Sequence, residues 1–546
     1  MTTLFEDADA VSSAATAYRM AAGDEFYGIN PQDQSDWIAV ALQAGVKYSF
    51  GAVGIGAANS GLTDPLIKLH AANGALLAAD DDGGPGLTSA LTFTAGSTGT
   101  YFIEVKALVS KGDGIYGLSV AEGPLPDYSV EMGAGVLYRD GSSWASSPAT
   151  AVNLTWGVRS SGPAEDASGN LTAFIALSAA QIAATQAALG NYSDVANISF
   201  TRVNPGGTTN SATILVGAYN SGGDGAGAYA NFPGSTGSAS SAGDLWINND
   251  SVSRNTVPLG TYDYWVFLHE LGHAMGLSHP GDYNAAPGVT ITYKNAAQYV
   301  QDSNQFTVMS YFDATDTQAR APGTYADTLM MYDIYAVQKM YGVNQGTRAG
   351  NDIYGFHSNL GGAYDFTVNA DPLLCIWDGA GRDTLDLSGF QAAQSVNLTA
   401  GTFSDVGGFK GNLSIAIGSA IENAVGGRGN DTIFGNDLNN VLKGGKGQDI
   451  LAGGSGNDRM TGGGGADGFV FAAADGRDTV TDFSKATDAI SLATDLWGGT
   501  TKTASEVLHQ FASIQGGNLI LDFGTDELTL LHISSLAGMA DRIVPA

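Results

Sequence analysis

The sequence predicts a multidomain protein, with an N-terminal all-β sandwich, a central α/β (α+β) domain and a C-terminal parallel β-roll. Three observations support this fold class. A chain of 546 residues is too long for one hydrophobic core. Short alternating apolar segments between Gly, Asn and Asp turns fill its first part, and a glycine-rich nine-residue repeat occupies part of its last. We therefore expect domains at residues 1–122, 127–345 and 346–546.

The composition excludes several classes of protein. With 23 Lys and Arg against 54 Asp and Glu, the net charge is −31, so phosphate would repel the chain and nucleic acid is not expected as a partner. The acidity indicates either simple solubility or divalent-cation binding. Cys375 is the single cysteine, which excludes an intramolecular disulfide. No apolar run is long enough to span a membrane, and Met1–Asp9 lacks the basic and apolar regions of a secretory signal peptide.

The first 122 residues predict a sandwich of short strands. Alternating segments lie at 36–42, 47–50, 66–70, 101–105 and 116–120. The order of Ser35–Trp37, Asp64–Pro65, Asn73–Gly74, Asp80–Gly83 and Gly99–Tyr101 resembles the bacterial pre-peptidase C-terminal domain family. In that family the module usually follows a peptidase, whereas here it comes first. Its role is either a solubility or folding appendage or a binding module for substrate or surfaces, and the Asp80–Asp82 run is either a calcium site or a solvated loop tip.

The candidate catalytic residues lie in the stretch 265–282. His269 and His273 are four residues apart, which places both imidazoles on one face of a helix. Gly276 allows the chain to leave the helix through a left-handed turn, so that His279 returns toward the first two. Three imidazoles with an open fourth position predict a catalytic zinc site. Glu270 is then free to take a proton from a zinc-bound water whose pKa is lowered to about 7.

The pattern H-E-x-x-H-x-x-G-x-x-H resembles that of the metzincin proteases, and Ser278–Asn284 is similar to the serralysin group of secreted bacterial proteases. In isolation, the apolar segment 306–312 would be a strand. Downstream of the histidines, Val308–Tyr311 resembles the Met-turn of these proteases. The resemblance implies that Met309 forms an apolar floor under the histidines, and that Tyr311 is a displaceable zinc ligand that stabilises the oxyanion. The alternative is a helix that merely carries histidines.

The rest of the central domain predicts a mixed sheet with helices. Residues 122–126 are expected to be a linker, and strands are expected at 198–200, 213–216 and 245–247. Ser178 is a good N-cap for a helix that ends at Leu189–Gly190, the zinc helix runs from about Tyr262 to Gly276, and a structural helix covers Tyr325–Gly342. Ala228–Phe232 lies where serralysins have an edge strand, to which an extended substrate can add.

The run from Gly426 to Val470 divides into five nonapeptides, GGRGNDTIF, GNDLNNVLK, GGKGQDILA, GGSGNDRMT and GGGGADGFV. Asn440 replaces the aspartate of the second. They resemble the RTX calcium-binding β-roll, in which glycines form turns, aspartates supply charge and an apolar position builds the core. A flexible glycine linker is the alternative. The candidate calcium ligands are Gly427, Gly429, Asp431, Gly445, Gly447, Asp449, Gly454, Gly456, Asp458 and Asp467.

Two segments before the repeats are similar to the calcium sites that lead into the serralysin roll. The residues implied are Arg348, Gly350, Asp352, Asp378, Ala380, Gly381, Asp383 and Glu422. Ala420 stands where the family commonly has threonine. The segment 475–483 resembles the closing segment of the roll, and Met539–Ala546 resembles the end that type I secretion machinery reads.

Together these features predict a secreted, extracellular and monomeric zinc endopeptidase of the serralysin type, stabilised by Ca²⁺ and acting on proteins or peptides. Low calcium inside the cell would leave the roll unfolded until export. The alternative is a calcium-binding surface or adhesion protein, or a substrate-binding protein, with a vestigial peptidase domain. Broad digestion and cleavage of one dedicated target are both compatible with the sequence.

Overall fold

The computed structural model describes residues 2–6, 10, 13–29, 35–55, 62–110, 114–161, 164–165, 171–220, 224–234, 241–286 and 288–546. Met1 and Asp7–Asp9, which belong to the N-terminal segment without a signal-peptide pattern, lie outside the described residues. The chain divides into two compact units. One contains residues 1–317 and 328–344, and the other contains residues 318–327 and 345–546.

The N-terminal region is built from strands alone within its described residues. They are β1 (Thr3–Phe5), β2 (Arg19–Met20), β3 (Glu25–Ile29), β4 (Ser35–Leu42), β5 (Lys47–Gly54), β6 (Leu62–His70), β7 (Leu76–Asp80), β8 (Ser89–Thr94), β9 (Gly99–Ser110) and β10 (Ile115–Glu122). One five-stranded sheet has the order β1-β3-β10-β5-β8, and a second has the order β2-β4-β9-β6-β7. Ile38 and Ile103 from the second sheet are buried in the same core as Phe50 and Leu118 from the first. The alternating pattern thus places one face of each sheet in a shared core.

The following region mixes helices and strands. Its elements are α1 (Val130–Leu137), β11 (Val152–Val158), β12 (Ala164–Glu165), β13 (Leu171–Thr172), β14 (Phe174–Ile175), α2 (Ala179–Val195), β15 (Ile198–Arg202), β16 (Ile214–Tyr219), β17 (Ala228–Ala230), β18 (Leu245–Asn248), α3 (Tyr262–Met275), α4 (Tyr293–Ala296) and α5 (Met331–Tyr341). The main sheet has the order β15-β11-β16-β18-β17. The pairs from β15 to β18 are parallel, whereas β17 is antiparallel to β18. As predicted, β17 is therefore an edge strand of the described sheet.

Helix α2 begins as predicted but ends later. Ser178 caps it, since its Oγ accepts the N–H of Gln181 at 3.2 Å and its own N–H donates to Gln181 Oε1 at 3.1 Å. The prediction that the helix ends at Leu189–Gly190 is wrong, because α2 continues to Val195. Tyr192 is fully buried, and its hydroxyl donates to the carbonyl of Leu268 at 2.7 Å. Burial of this side chain outweighs the roughly 1 kcal/mol that a helical glycine costs.

Helix α5 is shorter than its sequence pattern predicts. It begins at Met331 rather than at Tyr325 and ends before Gly342, as expected. The Asp333 carboxylate accepts the N–H of Met330 at 2.9 Å and so fixes the first turn.

The C-terminal region contains short strands and one described α-helix. They are β19 (Ile353–Gly355), β20 (Leu374–Ile376), β21 (Thr384–Asp386), β22 (Ser395–Asn397), β23 (Phe403–Ser404), β24 (Leu413–Ile415), β25 (Asn423–Val425), β26 (Thr432–Phe434), β27 (Val441–Lys446), β28 (Ile450–Ala452), β29 (Arg459–Gly464), β30 (Gly468–Phe471), β31 (Arg477–Val480), β32 (Ala489–Leu492), α6 (Ala504–Phe511), β33 (Ala512–Gln515), β34 (Asn518–Asp522), β35 (Glu527–Leu530) and β36 (Ile543–Pro545).

The nonapeptides alternate between two sheets, and within each sheet the strands of the repeats pair in parallel. Strands β25, β27 and β29 are neighbours in one sheet, and β26, β28 and β30 are neighbours in the other. Hydrogen-bonded partners along the repeat, such as Asp431 and Asp449, are 18 residues apart, so two repeats complete one coil. The apolar residue of every repeat is fully buried between the sheets. These residues are Ile433, Leu442, Leu451, Met460 and Phe469.

The predicted order of the regions along the chain, an all-β region, an α/β region and a second β-rich region, is confirmed.

Two further features of the described residues concern the expected cellular context. None of the helices has both the length and the apolar character that a membrane crossing needs. Cys375 is buried as a free thiol.

Candidate metal centre

Helix α3 and the turn that follows it bring three histidines together. The helix ends at Gly276, whose φ of 101° is a left-handed conformation that a side chain would disfavour. The chain then returns, and His279 Nε2 lies 3.1 Å from His269 Nε2 and 3.0 Å from His273 Nε2. All three side chains are buried. The structure thus brings together the three imidazoles that the sequence singled out.

Backbone carbonyls hold each imidazole by its other nitrogen. His269 Nδ1 lies 2.8 Å from the Val308 carbonyl oxygen. The Nδ1 atoms of the other two rings lie 2.7 Å and 2.8 Å from carbonyl oxygens. A carbonyl oxygen can only accept, so each Nδ1 carries the hydrogen. In the neutral ring each Nε2 then carries a lone pair. The two further pairs are His273 with Leu277 and His279 with Tyr283.

This arrangement suits a zinc ion. Nε2 lone pairs at 3.0–3.1 Å repel one another unless a cation lies between them. Two nitrogens bound to one zinc ion at about 2.05 Å in a tetrahedron would be about 3.3 Å apart, close to the observed separations. Burial lowers the pKa of all three imidazoles below the usual value, to about 4 for His273. They are therefore neutral, which is the form that binds metals.

Met309 packs beneath the metal-centre helix. The segment 306–312 forms turns rather than a strand. Met309 is fully buried, and a Cβ on Gly272 would overlap its sulfur atom. Gly272, which lies between Glu270 and His273, therefore leaves the room that the methionine fills.

Glu270 lies in a cleft with His273, His279 and Tyr311. The cleft has a volume of about 380 Å³. Oε2 of Glu270 is buried and has no hydrogen-bond partner in the protein. Burial raises the pKa of this carboxyl to about 8. A carboxyl group with this pKa, whose Oε2 has no partner in the protein, can exchange a proton with a molecule in the cleft.

Tyr311 forms the side of the cleft next to the histidines. Its ring centroid is 4.6 Å from that of His279 and 5.5 Å from that of His269. Burial raises the pKa of its phenol, so the hydroxyl keeps its proton and can donate it in a hydrogen bond.

The edge strand lies along the same cleft. Ala228, Tyr229 and Ala230 of β17 line it, together with Phe232. The ring of Phe232 lies 5.3 Å from that of His273. The edge strand of the described sheet therefore lies on the same cleft as His273 and His279.

Comparisons with known proteins agree with this geometry. The family model for Matrixin matches residues 172–308, and the model for Peptidase M10 serralysin C terminal matches residues 343–535. Metallopeptidase AprA of Pseudomonas marginalis is 42% identical over 435 residues, which is 77% of this chain and 89% of the relative. The chain belongs to the serralysin family of M10 metallopeptidases. It is a zinc metalloendopeptidase.

Other comparisons extend this assignment. Serralysin G of Dickeya chrysanthemi is 40% identical to this serralysin-family chain over 384 residues, covering 68% of the chain and 79% of the relative. Among solved structures, the pre-peptidase C-terminal domain of a collagenase from Bacillus anthracis is 20% identical. It covers 19% of the chain and 92% of that domain at a TM-score of 0.16, which is too low to support an argument.

In this family member a buried carboxylate, that of Asp333, also positions the metal centre. The sequence pattern places Asp333 only in a structural helix. Asp333 is fully buried and accepts the hydroxyl of Thr307 at 2.5 Å and the N–H of Val308 at 2.8 Å. The Val308 carbonyl in turn accepts from His269. An acidic residue on the apolar face of a helix was the available signal, since a buried acid needs such partners.

We predict that Asp333→Ala lowers the free energy of unfolding by about 3 kcal/mol or more, because three buried donors lose their acceptor. Asp333→Asn retains an amide oxygen that can accept from the two N–H groups and is expected to cost less. Urea denaturation at one pH measures both. Equal stability of the alanine variant and the wild type would contradict this role for Asp333.

The candidate calcium residues before the repeats also converge in this serralysin-family chain. Carboxylate oxygens of Asp352, Asp378 and Asp383 lie within 4.8 Å of one another. Oδ2 of Asp383 is buried without a hydrogen-bond partner, and Glu422 accepts the Asp383 N–H at 2.7 Å. The Gly350 carbonyl oxygen faces Gly381 so closely that no Cβ would fit there. Of the remaining candidates, the Ala380 N–H donates to Asp378 at 3.0 Å, and the Arg348 guanidinium donates to the Trp377 carbonyl at 2.7 and 2.9 Å.

The repeat aspartates are stacked in columns. Oδ1 of Asp449 accepts the Asp431 N–H at 2.8 Å, and Oδ1 of Asp467 accepts the Asp449 N–H at 3.0 Å. Oδ2 of Asp449 and of Asp458 is buried without a hydrogen-bond partner in the protein. Burial raises the pKa of Asp449 to about 6 and that of Asp458 to about 7. Orphaned carboxylate oxygens are the ligands that a hard cation such as Ca²⁺ prefers.

Glycine is needed at the repeat positions for two reasons, backbone conformation and lack of space. Gly445, Gly447, Gly454 and Gly456 have φ between 84° and 133°. A Cβ on any of these four would also come within 3.0 Å of a backbone oxygen. Gly427 and Gly429 do not have such a φ, but there too a Cβ would collide with the backbone of the neighbouring coil.

Asn440 makes different contacts from the aspartates it replaces. Its Nδ2 donates to the Glu422 carbonyl at 2.9 Å and to Asn436 Oδ1 at 2.9 Å. The amide is therefore satisfied within the protein and offers no orphaned oxygen.

Proposed function

We propose that this chain is a secreted endopeptidase in which His269, His273 and His279 hold the zinc ion. The observation that carries this proposal is the convergence of the Nε2 atoms of three imidazoles. Backbone carbonyls fix the tautomer of each imidazole by accepting from its Nδ1. A catalytic zinc site needs side-chain ligands that are held in a fixed orientation, and it needs a cleft beside them that gives access to the open coordination position.

Glu270 and Tyr311 are proposed to carry the proton and charge transfers. When bound, zinc lowers the pKa of a water molecule to about 7 and polarises a carbonyl group. Glu270 takes the proton of the attacking water and delivers it to the leaving amine as the peptide bond breaks. The Tyr311 hydroxyl, which also offers a displaceable ligand to the metal, donates to the substrate oxygen as negative charge develops there. Met309 supports the histidines from below.

Protein and peptide substrates are proposed to bind as an additional strand beside β17. Unpaired N–H and C=O groups of an edge strand recognise any extended backbone, whatever its side chains. Tyr229 and Phe232, which line the cleft, would contact the side chains of the substrate.

We further propose that Ca²⁺ binds the C-terminal region, which is then an RTX-type β-roll. The ligands would be the converging carboxylates and carbonyls at Arg348, Gly350, Asp352, Asp378, Ala380, Gly381, Asp383 and Glu422, and the repeat residues Gly427, Gly429, Asp431, Gly445, Gly447, Asp449, Gly454, Gly456, Asp458 and Asp467. Orphaned buried oxygens on Asp383, Asp449 and Asp458 support this.

The remaining assignments are proposals that follow from these. The chain would leave the cell through type I secretion machinery that recognises its C-terminal end. It would fold outside the cell, where calcium is present, and act as a monomer. Its domains would be a β-sandwich at 1–122, the protease at 127–345 and the roll at 346–546. A binding protein with a vestigial peptidase is not favoured, because the three histidines converge and Glu270, His273, His279 and Tyr311 line one cleft.

Removal and return of zinc tests the proposed function. Zinc-loaded protein in excess calcium is expected to cleave unfolded casein, to lose cleavage when a zinc-selective chelator removes the metal, and to recover it when zinc is restored. A His279→Ala variant controls for the metal site, since it should bind zinc weakly and recover little activity. Absence of cleavage by fully loaded wild-type protein would refute the proposal.

A further inference from the structure

A loop of the N-terminal region reaches the rim of the catalytic cleft. Asp282 lines this cleft. The backbone N–H of Gly86 lies 3.0 Å and 3.1 Å from its two carboxylate oxygens. Both residues belong to the same compact unit. A residue from the first 122 therefore donates a hydrogen bond to a residue of the cleft.

Glycine is required at the point of contact. Gly86 has a φ of +62°, and a Cβ there would lie 2.7 Å from Nε and 2.9 Å from Cδ of Arg139. Arg139 also lines the cleft. Its Nη1 donates to the carbonyl of His279 at 2.6 Å and to that of Val136 at 2.7 Å. The loop thus packs on the arginine that holds the backbone of the third histidine.

The loop, which we define as residues 83–88, is held in shape by its own hydrogen bonds. Asp80 Oδ2 accepts the N–H of Gly83 at 2.9 Å. The Thr88 hydroxyl donates to the Pro85 carbonyl at 2.9 Å. The first residue of the acidic run therefore holds the loop. A loop fixed in this way can present a side chain at a defined place.

Buried contacts also fix the N-terminal region to the metal-centre region. Glu25 of β3 is buried, and its carboxylate accepts the N–H of Ser129 at 2.7 Å. Ser129 caps α1, the helix that leads to Arg139. The Tyr27 hydroxyl lies 2.9 Å from Ser129 Oγ. The N-terminal region is therefore not a loosely tethered appendage.

Leu87 has an exposed side chain in this loop, whereas Pro85 and Thr88 are buried. It is 52% exposed and directly follows Gly86. A single exposed leucine is ordinary on a protein surface. This one directly follows Gly86, whose N–H contacts the cleft residue Asp282, so its exposed apolar surface lies close to the rim of the cleft.

We propose that the N-terminal region forms part of the substrate-recognition surface, and that Leu87 contacts apolar side chains of extended polypeptide substrates beyond the cleft. This inference rests on the proposed peptidase function. It assigns the region a role in selecting long substrates that carry apolar residues outside the cleaved segment.

The test compares two lengths of peptide. A substrate of about six residues reaches about 20 Å when extended, whereas one of about twelve residues reaches about 40 Å and extends past the cleft. The longer peptide carries leucines at its outer positions, and a matched version carries serines there. For Leu87→Ser, the ratio of kcat/KM for the long leucine peptide to that for the short one should fall about fivefold or more, because an apolar contact is lost.

Leu76→Ser is the matched control, since Leu76 lies in β7 of the same region and is 57% exposed. It should leave the ratio unchanged, as should Leu87→Ser with the serine-flanked peptide. An unchanged ratio in Leu87→Ser, or an equal fall in Leu76→Ser, would overturn the role of the loop while leaving the peptidase proposal intact. A zinc-loaded wild type that cleaves neither these peptides nor casein would instead refute the peptidase proposal itself.

Discussion

Replacing Glu270 with glutamine is expected to lower kcat/KM for casein or peptide cleavage by about 100- to 10,000-fold while zinc binding is retained. The amide has nearly the size of the carboxylate and cannot accept the proton of the attacking water. The three imidazoles are held by backbone carbonyls and not by Glu270, so their geometry does not depend on its charge. Initial-rate kinetics and the zinc content of purified protein measure the two effects separately.

Glu122→Gln is a suitable control because it removes the same charge from an exposed position at the end of β10. It should match the wild type in both measurements. Near-normal cleavage by Glu270→Gln would mean that another group transfers the proton, and would contradict the mechanism proposed here.

Removing calcium with EGTA is expected to unfold much of residues 346–546. Without a cation, the buried oxygens of Asp383, Asp449 and Asp458 have no partner, and a buried unpaired carboxylate is strongly destabilising. At a calcium concentration about a thousandfold above its Kd, each site would stabilise the fold by about 4 kcal/mol. Circular dichroism should therefore lose β-strand signal as EGTA is titrated, and should recover it when calcium is returned.

Two substitutions make this test specific. Asp449→Asn replaces a buried carboxylate and should raise the calcium concentration needed for half-maximal folding. Asp437→Asn removes the same charge from an exposed position on the same coil and should not. A β-roll that keeps its structure in EGTA would show that calcium is not needed for folding.

Several parts of this protein could be predicted because local rules decide them. The spacing of His269 and His273, and the glycine that ends the helix, fix their geometry within a few residues. The nine-residue repeat likewise determines which residue of each coil is buried, since each coil is equivalent to the next. In the N-terminal region, alternation placed β4, β5, β6, β9 and β10, because one face of each sheet is buried, but it did not predict β1, β2, β3 or β8.

Other parts depended on partners far along the chain. Helix α2 continues past Gly190 because Tyr192 is buried against α3. The first turn of α5 is held by Asp333, whose carboxylate also accepts the hydroxyl of Thr307, 26 residues away. Neither contact is encoded in the local pattern.

The sequence by itself determined the identity and spacing of the histidines, the likeness to serralysins and the periodicity of the C-terminal region, because these are properties of neighbouring residues. Only the tertiary structure decided which nitrogen of each histidine faces the centre, since Val308, Leu277 and Tyr283 supply the carbonyls that hold the other. It also decided that Gly86 meets Asp282, 196 residues away. Such contacts form only when distant segments pack together, and packing depends on shape and burial over the whole unit rather than on any local motif.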